Sequence, residues 1–346
     1  MKKTWIEIDL GKIRDNYALI KEKAQGALVC PVIKDNAYGH GAVRLAHLYE
    51  ELGADYFAVS NIEEAMVLRD NGIRKPILIL GFTPVDKAEL LNRFSITQCV
   101  YSLSYARSLS EQGLDIRCHL KVDSGMNRIG FKDVDEMEEA CHLPHLEYEG
   151  IFTHFSDVED PEFSAEQFNM FMDAVEALKG RGIVFSIRHC ANSGALFRYP
   201  GYHLDMVRPG IVLYGLGGYE GLKQALELKS VISHIKTVHK GEYIGYDRRF
   251  QAKKDTRVAT VAIGYGDGYL RANSGHNTVT VNGRRAQILG NICMDQLMID
   301  VSDIECGIYD EVLLYGDLEE IARNTGTISY ELICTLNARN TVYYKD

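Results

Sequence analysis

Short apolar stretches recur along the first two thirds of the chain, and stretches with helical periodicity lie between them. The intervening stretches place their apolar residues on one helical face, as in 42–52, 62–71, 134–141 and 165–179. Strands joined by such crossover helices pair in parallel, so the alternation predicts an α/β fold, a (β/α)8 TIM-type barrel over residues 1–222. A doubly wound open sheet is the alternative. The apolar stretches that predict the eight strands are 28–33, 56–60, 76–81, 98–102, 117–122, 150–155, 185–189 and 206–214.

After residue 222 the pattern changes to β-like stretches with few helical ones between them. This predicts a second, mostly β domain over residues 223–346. Asn282-Gly283 and Gly266-Asp267-Gly268 contain residues that accept a positive φ, so we predict hairpin connections at both places. The predicted strands are 230–238, 258–264, 278–281, 286–289, 296–301 and 311–315.

Composition narrows the class of protein. The 346 residues suggest about two domains, and 46% hydrophobic with 25% charged residues is typical of a globular protein. The net charge of −10, without a Lys/Arg run, argues against nucleic acid or an anionic membrane as a partner.

The apolar stretches are too short to span a bilayer, so we expect a soluble chain, although a membrane segment outside this sequence would leave no trace in it. Eight cysteines without a C-x-x-C pair indicate reduced thiols in the cytoplasm, and no zinc site is predicted.

Polar side chains follow the ends of several predicted barrel strands. In such barrels the carboxyl ends of the strands meet at one mouth, where reactive groups lie. The first is a lysine, which is either a desolvated nucleophile or a surface residue in a glycine-containing turn. Single residues of this kind are usually structural, but a set at successive strand ends predicts a site. The set is Lys34, Lys121, Arg128, His154, His189, Asn192, Ser193 and Arg208.

A phosphate group would suit the last two strand ends. The Ser193 hydroxyl and the backbone N–H groups of Gly210 and Ile211 could hold an anion, or they could be an ordinary helix cap and turn. No G-x-x-x-x-G-K-[ST] or G-x-G-x-x-G motif occurs, so a nucleoside triphosphate or dinucleotide is not indicated. A phosphate cradle with a lysine indicates pyridoxal 5′-phosphate.

Five motifs then identify a family. Residues 32–41 hold the lysine, 126–131 an arginine loop, 189–193 and 208–211 the phosphate cradle, and 290–296 a further polar segment. Over nearly its whole length the chain resembles the alanine racemase family, pyridoxal-phosphate enzymes of fold type III.

The resemblance implies a role for each site residue. Lys34 would hold the cofactor as a Schiff base, and Arg208 would face the pyridine nitrogen. Lys34 and Tyr246 would be the two bases of racemisation, with His154 beside Tyr246 and hydrogen-bonded to Arg208. The other residues implied to bind the cofactor are Tyr38, His189, Asn192, Ser193, Gly210, Ile211 and Tyr330.

The resemblance also implies a head-to-tail homodimer. The partner subunit would supply Tyr246 together with Met294 and Asp295, which bound the substrate, and a gate residue, Tyr265. Arg128 would bind the substrate, and Lys121 matches a lysine that some members carry as a carbamate to position that arginine.

The implied activity is interconversion of L- and D-alanine, with serine as a second substrate, which supplies D-amino acids for peptidoglycan precursors. Asp35 and Asp247 depart from the commonest family pattern, and they leave open a serine-preferring racemase domain of a vancomycin-resistance membrane protein. Tyr330 argues for alanine because its bulk disfavours the larger side chain. Two rivals are a non-catalytic pyridoxal-phosphate barrel, which lacks the second domain, and a decarboxylase, which pairs the pyridine nitrogen with an acid where this chain has Arg208.

Overall fold

The computed structural model describes residues 3–346 and divides into two compact units. One unit comprises residues 16–37 and 41–213, and the other comprises residues 3–15, 38–40 and 214–346. The chain starts with strand β1 (Thr4–Asp9) and helix α1 (Leu10–Ala24). Among residues 3–346, no helix has both the length and the apolar character needed to cross a membrane.

The unit of residues 16–37 and 41–213 is a closed barrel of parallel strands. Its strands are β2 (Leu28–Val29), β3 (Phe57–Val59), β4 (Ile77–Ile79), β5 (Thr97–Val100), β6 (Ile116–Lys121), β7 (Leu146–Phe152), β8 (Ile187–His189) and β9 (Met206–Val207). Strands β3 to β8 form one sheet, and β2 pairs in parallel with β9. Two backbone hydrogen bonds close the ring: Ala58 donates to Pro31 (3.0 Å), and Arg208 donates to Ala191 (2.9 Å). The predicted eight-stranded barrel is confirmed, and the open sheet is excluded.

The eighth strand is shorter than predicted. It ends at Val207, because Pro209 has no N–H to donate to a neighbouring strand. Residues Ile211–Tyr214 form a 3-10 turn instead. The predicted β-stretch of 206–214 is therefore wrong beyond residue 207, and its second half is a turn with buried side chains.

Helices connect the barrel strands, and their ends follow local capping chemistry. The four predicted helices are confirmed, and α8 begins earlier than predicted because Pro161 occupies its first turn and the Asp160 carboxylate accepts from Phe163 N (3.0 Å). Helix α1 and four short helices, those of residues 34–38, 88–93, 103–110 and 193–198, were not predicted. The helices of the unit after α1 are α2 (Lys34–Tyr38), α3 (Ala42–Glu51), α4 (Ile62–Asp70), α5 (Ala88–Arg93), α6 (Leu103–Ser110), α7 (Val134–His142), α8 (Pro161–Gly180) and α9 (Ser193–Arg198).

The other unit is built on an antiparallel sheet. Its strands after β1 are β10 (Leu226–Val238), β11 (Tyr243–Ile244), β12 (Phe250–Gln251), β13 (Thr256–Val261), β14 (Thr278–Val281), β15 (Arg284–Leu289), β16 (Leu297–Asp300), β17 (Glu311–Tyr315) and β18 (Thr341–Lys345). The order is β13-β16-β15-β14-β17-β10-β1-β18, and β13 also pairs with β10. The mostly β character is confirmed, with two helices not predicted, α10 (Leu318–Thr325) and α11 (Ser329–Cys334).

The two predicted hairpin turns have different outcomes. Asn282 (φ 47°) and Gly283 (φ 75°) join β14 to β15 as a two-residue turn, as predicted. Residues Tyr265–Asp267 instead form a 3-10 turn between β13 and β14, so the second hairpin is wrong. The reason is local: the carboxylate of Asp267 accepts from Gly264 N (3.0 Å) and closes the turn on itself.

The sequence predicts two domains that meet at one boundary, residue 222. In the structure, each of the two units is made of more than one segment of the chain. Strand β1 belongs with the sheet unit because it pairs antiparallel with β10 and parallel with β18. The barrel unit ends at Leu213, and residues 38–40 are grouped with the sheet unit. The sheet unit is therefore discontinuous in sequence.

Candidate active site

Lys34 begins α2, and this short helix is left-handed. The φ angles of Asp35, Asn36 and Ala37 are 52°, 50° and 56°, and that of Tyr38 is 53°. A left-handed residue other than glycine costs about 1–2 kcal/mol, so a run of them persists only where the surrounding structure imposes it. The lysine is therefore followed by a strained turn of non-glycine residues, which the sequence did not predict.

Side chains from the next βα unit hold this turn. The Glu64 carboxylate, in the first turn of α4, accepts from Asp35 N (2.7 Å) with one oxygen and from Ser60 N (2.7 Å) with the other. The Asn36 side chain accepts from Ala42 N (2.9 Å) at the start of α3. Sequence reasoning missed Glu64 because it is 29 residues away from its partner in the turn.

Arg208 lies buried just past β9, where the seventh and eighth strands end. One guanidinium nitrogen contacts Nδ1 of His189 at 2.7 Å. The other donates to the carbonyls of Thr153 (2.7 Å) and Cys190 (3.2 Å) and lies 3.4 Å from Nδ1 of His154. Burial lowers the pKa of Arg208 to about 10, which still leaves it cationic at neutral pH. Its partners are imidazoles and carbonyls, which do not neutralise its charge.

These contacts also fix the tautomers of two histidines. A guanidinium can only donate, so Nδ1 of His189 must be unprotonated. Burial and the charge of Arg208 hold the pKa of His189 well below its usual value, so the neutral ring carries its proton on Nε2 and donates to Nδ1 of His119 at 2.9 Å. Burial lowers the pKa of His119 to about 3. Sequence reasoning missed His119, although its position two residues before Lys121 on β6 signals the same inward face.

Lys121, at the end of β6, is buried against an aromatic ring. Its ammonium lies 4.7 Å from the centre of the Phe152 ring, and the guanidinium of Arg208 lies 5.3 Å from the same ring. Burial, followed by the charges of Arg208 and Arg128, lowers the pKa of Lys121 to about 7. This lysine is therefore partly neutral at physiological pH.

Four of the predicted cationic residues lower the pKa of His154. Burial holds the pKa of this half-buried histidine well below its usual value, and the four positive charges lower it further. Arg208 lies in contact with the ring, and Arg128 is exposed in the loop between β6 and α7. The neutral form of His154 is therefore favoured. The four cations are Lys121, Arg208, Arg128 and Lys34.

The predicted phosphate cradle is also brought together. The hydroxyl of Ser193, the first residue of α9, accepts from Gly210 N at 2.8 Å. Asn192 caps the same helix by accepting from Ala195 N at 3.0 Å. Ile211, which begins the 3-10 turn, is buried. The helix cap and the predicted cradle are therefore both present, on the adjacent residues Asn192 and Ser193.

In the sheet unit, Tyr38 lies in an aromatic cluster. Its ring centre is 5.3 Å from that of Tyr214 and 5.8 Å from that of Tyr330. Burial raises the pKa of Tyr330 to about 12, so its phenol stays protonated and can donate a hydrogen bond. The two tyrosines predicted to hold the phosphate are thus neighbours.

The remaining predicted residues lie on three connected loops of the sheet unit. Tyr265 N donates to Cys293 O (3.1 Å), which ties the loop of Tyr265 to the segment of Met294 and Asp295. Asn291 of the same segment donates to the carbonyl of Tyr246 (3.2 Å). Arg339 binds Asp295 (2.6 Å) and lowers the pKa of its carboxyl.

Three of these loop side chains are exposed. The exposed fractions are 68% for Tyr246, 43% for Tyr265 and 54% for Met294. Large side chains on one set of connected loops form a surface that suits contact with another molecule.

The donor set fits pyridoxal phosphate. A lysine amine can hold its aldehyde, a guanidinium can donate to its ring nitrogen, and a serine hydroxyl with neighbouring backbone N–H groups suits a phosphate. Lys34, Arg208 and Ser193 supply these groups within the barrel unit. Among residues 3–346, no group of three or more His, Cys, Asp or Glu side chains is placed to hold a metal ion.

Comparisons with known proteins agree with this chemistry. The family model "Alanine racemase, N-terminal domain" matches residues 8–217, and "Alanine racemase, C-terminal domain" matches residues 225–344. The alanine racemase of Desulfovibrio desulfuricans is 42% identical over 97% of this chain and 96% of its own length. That of Clostridium tetani is 40% identical over 100% of this chain and 96% of its own.

Solved structures give the same result. The alanine racemase of Clostridium difficile superimposes with a TM-score of 0.94 at 38% identity, covering 100% of this chain and 96% of its own. The alanine racemase of Bacillus anthracis with bound L-Ala-P has a TM-score of 0.94 at 34% identity, covering 100% of this chain and 96% of its own.

Proposed function

The chain belongs to the alanine racemase family and is a pyridoxal-phosphate-dependent amino-acid racemase, and on this basis we propose how its residues divide the reaction. Lys34 and Tyr246 are the two bases, one removing a proton from Cα of alanine and the other returning a proton to the opposite face. The observation that best supports the proposal is the buried, charged guanidinium of Arg208 among the strand ends.

Pyridoxal phosphate, when bound, withdraws electrons from the substrate's Cα and so makes its hydrogen acidic. The Lys34 amine holds the aldehyde carbon, and Arg208 faces the ring nitrogen. His189 and Asn192 act indirectly, through the residues that bind the cofactor. His189 positions Arg208, and Asn192 caps the helix that begins with Ser193. The residues that we assign to the phosphate are Tyr38, Ser193, Gly210, Ile211 and Tyr330.

Arg208 explains why racemisation is favoured over other reactions of this cofactor. A guanidinium keeps its protons, so it can donate to a ring nitrogen but cannot protonate it. With its nitrogen unprotonated, the ring would withdraw electrons less strongly, which would favour return of a proton to Cα over other reactions. An acidic partner, as in the decarboxylase alternative, would have the opposite effect.

In this proposal the substrate is bound by residues of one subunit's barrel unit and of the partner subunit's sheet unit. Arg128 binds its carboxylate, the partner subunit's Met294 and Asp295 bound it, and the partner subunit's Tyr265 is the gate. His154 would relay the position of Arg208 to the partner subunit's Tyr246. The 3.4 Å contact of His154 with Arg208 supports the first half of that relay.

Lys121 is proposed to carry a carbamate. Only a neutral amine reacts with CO₂, and a pKa of about 7 leaves about half of this lysine neutral at pH 7, against less than about 0.1% of an ordinary lysine. A carbamate would replace a positive charge beside Arg208 and Arg128 with a negative one, which pairs with Arg128 and orients it.

We predict that the carbamate is lost as the pH falls through 7, because the amine becomes protonated. The measurement is 13C NMR of the protein in 13C-bicarbonate, titrated from pH 8.5 to 5.5. Lys121→Ala should lack the carbamate signal, and Lys132→Ala, which changes an exposed lysine, should retain it. A signal that persists unchanged at pH 5.5, or in Lys121→Ala, would contradict the assignment.

The partner is proposed to be a second copy of this chain, in a head-to-tail homodimer. The exposed Tyr246, Tyr265 and Met294 support this proposal because they form an apolar surface on connected loops. In the dimer these residues complete the site of the neighbouring barrel, and each monomer alone is inactive.

Serine is proposed as a slower second substrate. An added hydroxyl changes transition-state binding in an apolar pocket by roughly 10- to 100-fold, and Tyr330 adds bulk where the larger side chain would lie. We expect kcat/KM for L-alanine to exceed that for L-serine by roughly this factor. Chiral chromatography of the D-enantiomers measures both, with Lys34→Ala as the inactive control. Faster formation of D-serine would place the chain with the serine-preferring branch instead.

The proposed setting is the cytoplasm, where the enzyme supplies D-alanine for peptidoglycan precursors. The eight cysteines support this location because all of them are free thiols. The non-catalytic barrel is disfavoured because the chain has a full second unit that matches the C-terminal domain of the racemases.

A further inference from the structure

The loop that carries Tyr246 has an unusual backbone. Gly245 has φ 73° and ψ −173°, a conformation that is almost exclusive to glycine. Asp247 (φ 61°) and Arg248 (φ 52°) are both left-handed, although neither is a glycine. Tyr246 is thus preceded by a conformation that requires glycine and followed by two left-handed non-glycine residues, which need support from their surroundings.

Part of this support comes from the side chain of Asp247. Its Oδ2 accepts from the amide of Asn291 (3.0 Å), and the same amide donates to the carbonyl of Tyr246 (3.2 Å). Arg271 lies 3.6 Å from the same carboxylate oxygen. The Asn291 amide therefore joins the backbone of the tyrosine to the side chain of the residue that follows it.

Both partners of Asp247 are themselves anchored. Gly290 lies so close to the sheet that a Cβ there would be 2.5 Å from Ile244 O, which fixes the backbone next to Asn291. Arg271 begins a 3-10 turn, and Ser274, directly after that turn, accepts from Ile292 N (3.0 Å). The carboxylate of Asp247 thus fastens a strained loop to a rigid segment.

The hydrogen-bonded bridge matters more than the ion pair. The side chains of Arg271 and Asp247 are 56% and 65% exposed, so solvent and salt screen their attraction. The Asn291 amide instead fixes geometry, since it has two acceptors at defined distances on adjacent residues.

We propose that Asp247 is a positioning residue for the second base: through Asn291 it holds the Tyr246 loop in its left-handed conformation and thereby aims the phenol. The inference rests on the proposed role of Tyr246. A base must lie within hydrogen-bonding reach of the proton that it removes, and a displacement of about 1 Å can lower the rate by roughly 100-fold.

The experiment compares Asp247→Ala, Asp247→Gly and Asp247→Asn. Alanine removes the bridge and disfavours the left-handed backbone, glycine removes only the bridge, and asparagine keeps both an acceptor oxygen and tolerance of the left-handed region. We expect kcat/KM for alanine to fall roughly 10- to 100-fold in Asp247→Ala, less in Asp247→Gly, and to return to within about threefold of wild type in Asp247→Asn.

The readout that separates positioning from general damage is the deuterium isotope effect on kcat/KM, measured with Cα-deuterated L- and D-alanine. Only one enantiomer gives its hydrogen to Tyr246, so in Asp247→Ala and Asp247→Gly the isotope effect should rise for that enantiomer alone. Asp303→Ala, which changes an exposed aspartate in a turn of the same unit, should leave both isotope effects unchanged.

Two results would overturn the inference: isotope effects at the wild-type value in all three Asp247 variants, or equal changes for both enantiomers. Tyr246→Phe, measured in parallel, distinguishes this failure from failure of the proposed function. Wild-type racemisation by Tyr246→Phe would remove the second-base assignment itself. An inactive Tyr246→Phe with unaffected Asp247 variants would reject only the role of Asp247.

Discussion

Lys34→Ala is expected to lower kcat for alanine racemisation by roughly 10⁴-fold or more, because it removes both the amine that holds the cofactor and the base on one face of Cα. The left-handed turn that follows Lys34 fixes the backbone from which this side chain extends. The measurement is the initial rate of D-alanine formation from L-alanine with added pyridoxal phosphate.

A second readout tests the assignment without relying on activity. Borohydride reduction should attach the cofactor covalently to the wild-type protein, and peptide mass spectrometry should place the added mass on Lys34. Lys121, the other lysine of the site, should be unmodified. Lys179→Ala, which changes an exposed lysine on α8, is the matched control and should behave as wild type. Added mass on Lys121, or retained activity in Lys34→Ala, would refute the assignment.

Tyr246→Phe is expected to lower kcat/KM by roughly 10²- to 10⁴-fold in both directions, because the variant keeps the ring but loses the hydroxyl that transfers the proton. The two enantiomers have equal free energies, so both directions must lose the same factor. Tyr243→Phe is the matched control, since Tyr243 is also an exposed tyrosine and lies three residues earlier. Full activity in Tyr246→Phe would mean that another group is the second base.

Mixing the two inactive variants then tests the homodimer. If each site combines Lys34 of one subunit with Tyr246 of the other, a mixed dimer has one intact site. Co-expression of Lys34→Ala with Tyr246→Phe should therefore restore about a quarter of wild-type activity, since half of the dimers are mixed and half of their sites are intact. No recovery would show that Lys34 and Tyr246 act within one chain.

The barrel could be predicted because its signal is repeated and local. Each strand is a short apolar stretch, the longer helices between them have their own periodicity, and eight repeats reinforce one another. In such barrels the functional residues lie at the carboxyl ends of the strands. Once the strands were predicted, Lys34, His189 and Arg208 could therefore be selected before their contacts were known. Short helices such as α9, with 6 residues, are too brief for periodicity to detect.

Features that depend on distant contacts could not be predicted. Asp35 and Asn36 accept left-handed φ angles more readily than most residues, but the sequence does not predict a run of four such residues from 35 to 38. Glu64, which accepts from Asp35 N, is part of what holds the turn. The grouping of β1 with the C-terminal sheet depends on pairing with β10 and β18. The hydrogen bond between Asn291 and Asp247 joins residues that are 44 positions apart. The sequence therefore shows that Asp247 departs from the family pattern, but it does not show what the side chain of Asp247 binds.

The discontinuity of the sheet unit has a consequence for biosynthesis. Strand β1 leaves the ribosome before the barrel, but its antiparallel partner β10 is made more than 200 residues later and β18 later still. At about 5–20 residues per second, β1 waits on the order of 10–40 seconds with an unpaired edge while the barrel forms from the chain in between. A nascent chain stalled before β10 should therefore carry a folded barrel and an exposed amino-terminal strand, which makes that strand a binding site for chaperones during synthesis.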